Sequence, residues 1–375
     1  MAKLGEVCKV SPSTKNIERQ GAWLLNLDMV EQQTGRVIEY KYVGEDDLNG
    51  SIIQFDTENV LYSKLRPNLN KVVLPQKDGF STSELLPLRP DARVLNRDYL
   101  AVFLRSDSFV TWAVSKTAGA KMPRLGTKDL MSAEIPVPTI EQQKKIAEKF
   151  KKLEQLISLR NQQLAKLDEL VKAQFANTFE NDANFHTDYM ENLSEFVTVG
   201  IANSATHAYA EHGVVMLRNQ NIKENHLDDT ELVYIEPKFA DKYKSKKLEA
   251  NDILVTRTGY PGIACVVPQK YAGSQTFTTL IIRLKKETSV SSCYICHYIN
   301  SSHGKKYVSG TKVGVAQQNF GAKVLAKMPV IIPPINLQND FAAFVERVDQ
   351  QKQTVQQSLE KLKLMKKALM QEYFG

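Results

Sequence analysis

Two stretches of the chain carry apolar residues in alternating steps of three and four. The first runs Ile146, Phe150, Leu153, Ile157, Leu164, Leu167 and Val171; the second runs Phe341, Val345, Val348, Val355, Leu359, Leu362 and Leu369. A seven-residue period of this kind places one apolar stripe along a helix and buries it against a partner helix. Each stretch follows a proline-rich stop, Ile135 to Pro138 and Ile331 to Pro334, where a preceding strand must end. Neither glycine nor proline occurs from there to Phe179 or to Phe374. Residues 141 to 179 would span about 58 Å as one helix at 1.5 Å per residue. Arg160, Lys352 and Lys366 interrupt the stripes, as polar residues at core positions do where they set register or meet another protein. The stripes could pair between two copies of the chain. Because both lie in one chain, pairing with each other as an antiparallel coiled coil is the expectation.

Outside these helices the pattern is mixed. Short β-rich runs, such as Val60 to Leu65, Lys71 to Pro75, Asp252 to Arg257 and Thr279 to Leu284, are bounded by Gly, Pro and Asn, whereas the segments from Tyr99 and from Phe239 look helical. An α+β domain is expected, twice. The chain in fact repeats itself: Gly119 to Gln143 matches Gly314 to Gln338 at an offset of 195 residues (119 to 314), pairing Gly126 with Gly321, Lys128 with Lys323 and Gln143 with Gln338. That match continues without a gap to Phe179 and Phe374. Upstream the offset shrinks, with the run from Asn59 aligning to Asp252 and that from Leu4 to Leu193. So long a period excludes a solenoid and indicates duplication of a domain plus a helix. The expected division is 1–138, 139–180, 181–334 and 335–375, body and helix in turn.

A length of 375 residues accommodates two domains, and 42% hydrophobic with 24% charged residues describes a globular protein. No apolar run is long enough to cross a bilayer, and no secretory or prenylation signal is present, so a cytoplasmic location without membrane contact is expected. Cys8, Cys265, Cys293 and Cys296 are too few for a disulfide framework. The net charge of +7 permits an anionic partner, and its distribution says more. Residues 60–77 carry Lys64, Arg66, Lys71 and Lys77; residues 116–128 carry Lys116, Lys121, Arg124 and Lys128; residues 303–327 carry Lys305, Lys306, Lys312, Lys323 and Lys327. None of the three contains an acid.

The runs from Tyr62 (YSKLRPNLNKVV), from Gly119 (GAKMPRLGTKDLMSAEIPVPTIEQQKKIAEKF) and from Asn251 (NDILVTRTG), with the later MPVIIPPINLQNDFAAFV, resemble the specificity subunits of type I restriction-modification systems over nearly the whole chain. The resemblance implies two tandem target-recognition domains separated by the paired helices, each reading one half of a split site in double-stranded DNA. It further implies two methyltransferase subunits docked on the helices and restriction subunits beside them. S-adenosylmethionine, ATP and Mg are then expected on those partners, and no cofactor on this chain. The second copy departs from the first where Val315 to Gly321 (VAQQNFG) replaces Ala120 to Gly126 (AKMPRLG), as halves with different targets would.

DNA recognition needs cations for phosphates and planar donor–acceptor groups for base edges. In the first copy Lys64, Arg66, Asn68, Asn70, Lys71, Lys121, Arg124 and Lys128 are candidates. In the second they are Arg218, Asn219, Arg257, Tyr260, Lys312, Gln317, Gln318, Asn319 and Lys323. The Met122–Leu125 turn that carries Arg124 serves equally well as a bend between strand and helix. Cys293 to His297 spells a haem-attachment motif, but the repeat aligns Cys296 and His297 with Ala101 and Val102 of a structural helix. Phosphate-loop and base-methylation motifs are lacking; the nearest string to the latter, Pro333 to Asn336, has the wrong order. A DNA-reading subunit without catalysis is therefore the leading expectation. A self-contained methyltransferase or nuclease, or a coiled-coil tether, are the alternatives.

Overall fold

The computed structural model describes residues 1–48, 51–119, 121–180, 185–201, 208–311 and 320–375. These form two compact units: Met1–Gln162 with Gln356–Gly375, and Gln163–Val355.

In the first unit, one sheet runs Cys8–Val10, Leu85–Pro90, Val60–Ser63, Val72–Val73, antiparallel throughout. A second runs Lys41–Val43, Ala22–Leu25, Gly79–Thr82, Ile52–Phe55, with a parallel central pair. The second unit repeats both: Ser194–Val199, Leu280–Leu284, Ile253–Val255, Ala264–Val266 form the antiparallel sheet. In its other sheet Val214–Leu217 runs parallel to Gln275–Thr276 and antiparallel to Val233–Ile235. The copies differ at the sheet edge. Ile52–Phe55 flanks the parallel pair in the first, whereas the extra strand Tyr209–Ala210 lies on the far side of Val233–Ile235 in the second.

Helices Arg97–Leu104 and Ser292–Asn300 cover the antiparallel sheets, each started by a side-chain cap: Asn96 accepts from the Tyr99 amide and Ser291 from that of Tyr294. Tyr99, Leu100, Phe103 and Leu104, and in the second copy Tyr294, Ile295 and Ile299, are buried there.

The long helices span Ile140–Phe175, prolonged by a π-helical turn over Ala176–Glu180, and Ile335–Phe374. A fully buried glutamine fastens the start of each. Gln143 Oε1 accepts from the Asn96 amide at 2.8 Å, while its Nε2 donates to the carbonyls of Val94 and Pro138 at 2.9 and 2.8 Å. Gln338 does the same with the Ser291 amide and the carbonyls of Ser289 and Pro333, at 2.9, 2.8 and 2.9 Å. The amide end that donates and the oxygen that accepts are both used, which no apolar or singly functional side chain could reproduce.

In each unit the helix segments pair antiparallel. In the first, Phe150 meets Tyr373 and Phe374 at ring-centroid distances of 6.4 Å, and Lys366 reaches Glu154 at 2.9 Å. In the second, Phe341 packs on Phe175 and Phe179 at 5.4 and 5.5 Å, and Lys352 reaches Asp168 at 2.5 Å. Two of the polar interruptions in the stripes are thus interhelical ion pairs. Glu154 also pairs with the buried Arg105, whose guanidinium donates to the Val72 carbonyl, so one carboxylate ties both helices to the body.

The Cys293–His297 motif lies within helix Ser292–Asn300. The His297 ring stacks on Phe175 and meets Phe341 edge-on, and burial, reinforced by nearby Lys352, lowers its pKa to about 3. Among the described residues no helix is long and apolar enough to cross a membrane.

Two outcomes follow from this packing. Gln143→Leu leaves the Asn96 amide and two carbonyls buried without partners, so the urea midpoint should fall by the equivalent of about 2–4 kcal/mol, with the same loss for Gln338→Leu. His297 is neutral in the folded state down to about pH 3 and titrates near 6.5 when unfolded. Protons are therefore taken up by the unfolded state alone as pH falls from 6.5 towards 3, and stability drops across that window. In parallel urea titrations His297→Phe should show a shallower decline.

Candidate nucleic-acid interface

Strands Val60–Ser63 and Val72–Val73 are joined by a loop that turns through Pro67–Leu69, flanked by two left-handed residues, Arg66 and Asn70, both at φ 50°. Asparagine tolerates this conformation, but an arginine held there costs roughly 1–2 kcal/mol. Neighbouring bonds enforce it: the Arg66 amide donates to the Pro123 carbonyl at 2.8 Å, and that of Leu69 to the Arg66 carbonyl at 2.9 Å.

The partner of this loop is the Met122–Leu125 turn. Leu65 and Arg124 form a β-bridge, the Leu125 amide donates to the Lys64 carbonyl at 2.9 Å, and Arg66 Nη2 donates to the Lys121 carbonyl at 3.4 Å. Two basic segments distant in sequence therefore become one edge bearing Lys64, Arg66, Lys121 and Arg124. Arg66, Asn68, Lys121, Arg124 and Lys128 are exposed, and Lys64 is half-buried.

Not every candidate stays on this surface. Asn70 is only 7% exposed and its amide donates to the Arg105 carbonyl at 3.1 Å. Lys71 is turned inward, with Nζ donating to the Leu27 carbonyl at 2.5 Å; burial lowers its pKa against the opposing pull of Asp28. Both are engaged by the protein's own carbonyls and hold the loop's shape. Arg124 pairs with Glu84 at 3.1 Å, so a stretch without acids in sequence acquires one in space. Both side chains of that pair are partly exposed, and such a surface pair contributes about 1 kcal/mol or less.

The second unit builds the same junction with different residues. Its loop joins Ile253–Val255 to Ala264–Val266, and the Phe320 amide donates to the Arg257 carbonyl at 3.2 Å, the counterpart of Leu125 on Lys64. Thr256 Oγ1 donates to the Tyr260 carbonyl at 2.6 Å and accepts from the Ile263 amide at 2.9 Å. Where the first loop forces Arg66 into the left-handed region, this one has Gly259 at φ 74°, and Tyr260 beside it is 84% exposed. The Arg218–Asn221 turn joins the loop, since Asn219 Nδ2 donates to Thr258 Oγ1 at 2.9 Å. Arg218 itself donates to the Glu231 carbonyl at 2.9 Å. The buried atoms Arg218 Nε and Asn219 Oδ1 have no hydrogen-bond partner among the described residues. Lys323 is exposed on helix Ala322–Ala326. Lys312, Gln317, Gln318 and Asn319 lie outside the described residues.

Each unit thus presents a braced loop with exposed cations, amides or an aromatic ring, the groups that meet phosphates and base edges. Sequence spacing alone missed the bracing groups Thr256, Thr258, Glu84 and Ser63, whose Oγ donates to the Leu65 carbonyl at 2.9 Å; their types are common in any loop.

Residues 1–169 and 187–364 match the family model of the type I restriction modification DNA specificity domain. Among curated relatives, the specificity subunit of the type I restriction enzyme EcoDI from Escherichia coli is 25% identical over 160 residues, 41% of this chain and 35% of that one. The MjaVIII specificity subunit of Methanocaldococcus jannaschii is 21% identical over 326 residues, 81% of this chain and 75% of that one. The match thus spans about a third of the length of the first and three quarters of the second. Of solved structures, a chain from a study of complex assembly and conformational transition of the type I R-M system aligns with a TM-score of 0.63 at 15% identity, covering 100% of this chain and 96% of that one. The type I restriction-modification S subunit from M. genitalium gives 0.59 at 13% identity, covering 100% and 95%. These two likenesses concern the fold. With the family model matching both copies of the repeat, the chain belongs to the type I restriction-modification DNA specificity family.

Proposed function

We propose that this chain reads a bipartite, asymmetric site in double-stranded DNA, one half with each body, and carries out no catalytic step itself. The observation that carries this reading is the doubled loop junction. The bond from Leu125 to Lys64 recurs from Phe320 to Arg257, yet the apices differ: exposed Arg66 and buried Pro67 in one copy stand where Gly259 and exposed Tyr260 stand in the other. A common scaffold with unlike apices suits two half-sites of unlike sequence.

On this reading the paired helices serve as the seat for two methyltransferase subunits, which bring S-adenosylmethionine. Restriction subunits, with ATP and Mg, join that assembly. The chain contributes the choice of site and its partners contribute the chemistry.

Arg66→Gly separates recognition from folding, because glycine occupies φ 50° without strain. The urea midpoint should shift by less than the equivalent of about 1 kcal/mol. In the complex with methyltransferase subunits, affinity for the methylated target should fall by about 5- to 150-fold, the 1–3 kcal/mol of one base-reading pair. Combining it with Lys64→Gln, which removes one phosphate contact, should also flatten the dependence of log K on log salt by about 0.9. Unchanged affinity in the double variant would contradict this site.

A further inference from the structure

After strand Val233–Ile235 the second unit forms helix Pro237–Lys242 and a 3-10 turn over Lys244–Lys246. The ten residues 238–247 contain Lys238, Lys242, Lys244, Lys246 and Lys247 against the single acid Asp241. After the corresponding strand of the first unit, Lys41–Val43, a 3-10 turn carries Glu45, Asp46 and Asp47, all exposed. The strands correspond by register: Val43 pairs with Ala22 as Ile235 pairs with Val214. At one place in a duplicated fold the sign of the charge is reversed.

The lysines are not accounted for by the fold. Lys247 pairs with Asp241 at 3.2 Å, and Lys246 donates to Thr198 at 2.6 Å. Lys238, Lys242 and Lys244 are exposed and have no ion pair among the described residues. Cations near a helix C-terminus offset its dipole, but Lys238 sits in the first turn, where a cation opposes the dipole. The carbonyls at the other end are already served, since buried Gln275 donates Nε2 to those of Ala240 and Tyr243, both at 2.9 Å. That bond, with Phe239 and Ala240 packed on Met216 and Ile235, mounts the segment firmly on the sheet.

The geometry points to Lys238, Lys242 and Lys244 as a phosphate clamp on the DNA that flanks the second half-site, an inference that rests on the DNA-reading function proposed above. Strand Val214–Leu217 separates the segment from the reading loop. Arg218 follows the C-terminal end of this strand, and Pro237 lies near its start, where Ile235 pairs with Val214. Four residues at 3.3 Å each give about 13 Å, close to the roughly 12 Å width of a major groove. A duplex whose base edges meet Tyr260 and Asn219 would have backbone phosphates within reach of the lysines. The first body, with three acids at this place, makes no such contact, so the two halves of the site are held with unequal electrostatic grip.

The test uses the full chain assembled with methyltransferase subunits and two duplex probes, one containing the methylated target and one unrelated. Affinity is measured from low to moderate salt. For Lys238→Gln/Lys242→Gln/Lys244→Gln, the slope of log K against log salt should flatten by about 2 to 3 on both probes, at roughly 0.9 per lost phosphate contact. The methylated sequence should stay the same, and a nuclease footprint should shorten only beyond the second half-site. An unchanged slope, in an assembly where Arg66→Gly still weakens target binding, overturns the clamp alone. Loss of subunit assembly with an unchanged slope also overturns it, assigning the lysines to an acidic protein face. An unsubstituted assembly that binds neither probe overturns the clamp together with the DNA-reading function.

Discussion

Phe179 and Phe374, 195 positions apart, each complete a core that the other copy of the repeat begins. Phe374, at the end of the second long helix, packs on Tyr99, Phe103 and Phe150 at ring-centroid distances of 5.3, 5.8 and 6.4 Å. Phe179, at the end of the first, packs on Tyr294 and Phe341 at 5.0 and 5.5 Å. The start of each helix is held by Gln143 or Gln338 in its own body. Within each unit the terminal ring's place depends on helical register, since one added residue rotates it by about 100°. The repeat runs without a gap from Gly119 to Phe179, while the loops upstream differ in length.

The core common to both bodies leaves their loops free to vary. Each body keeps the antiparallel sheet and the main-chain bond that closes the reading loop, so the apex can exchange side chains without disturbing the core. Arg66 shows what this permits. Its left-handed conformation is unfavourable for an arginine, yet the bonds around it hold the guanidinium at an exposed edge. The surface pair of Arg124 with Glu84 contributes little to stability.

The helices and the duplication were legible because periodicity and constant offset are properties of the sequence itself. The Gln143–Gln338 match was visible too, but not its meaning, since a buried amide and an exposed one look alike in a string of letters. The structural engagement of Asn70 and Lys71 was hidden for a related reason. Both types suit DNA contacts, and only the loop's path shows that the carbonyls of Arg105 and Leu27 claim them. The link between the Arg218–Asn221 turn and the Tyr260 loop depends on one hydrogen bond, from Asn219 to Thr258. The lysines from 242 to 247 were read only as part of a helical segment from Phe239. Their contrast with Glu45 to Asp47 emerges when strands are matched by register, across a region where the sequence offset drifts.

The central claim is that two bodies on one shared frame encode two half-sites independently. The most direct measurement is a methylation map of a chimaera in which residues 181–334 are replaced by the corresponding body of a relative with a different target, assembled with methyltransferase subunits. The expected result is a new sequence in one half of the site, with the other half retained. A change in both halves, or in neither, would contradict the claim.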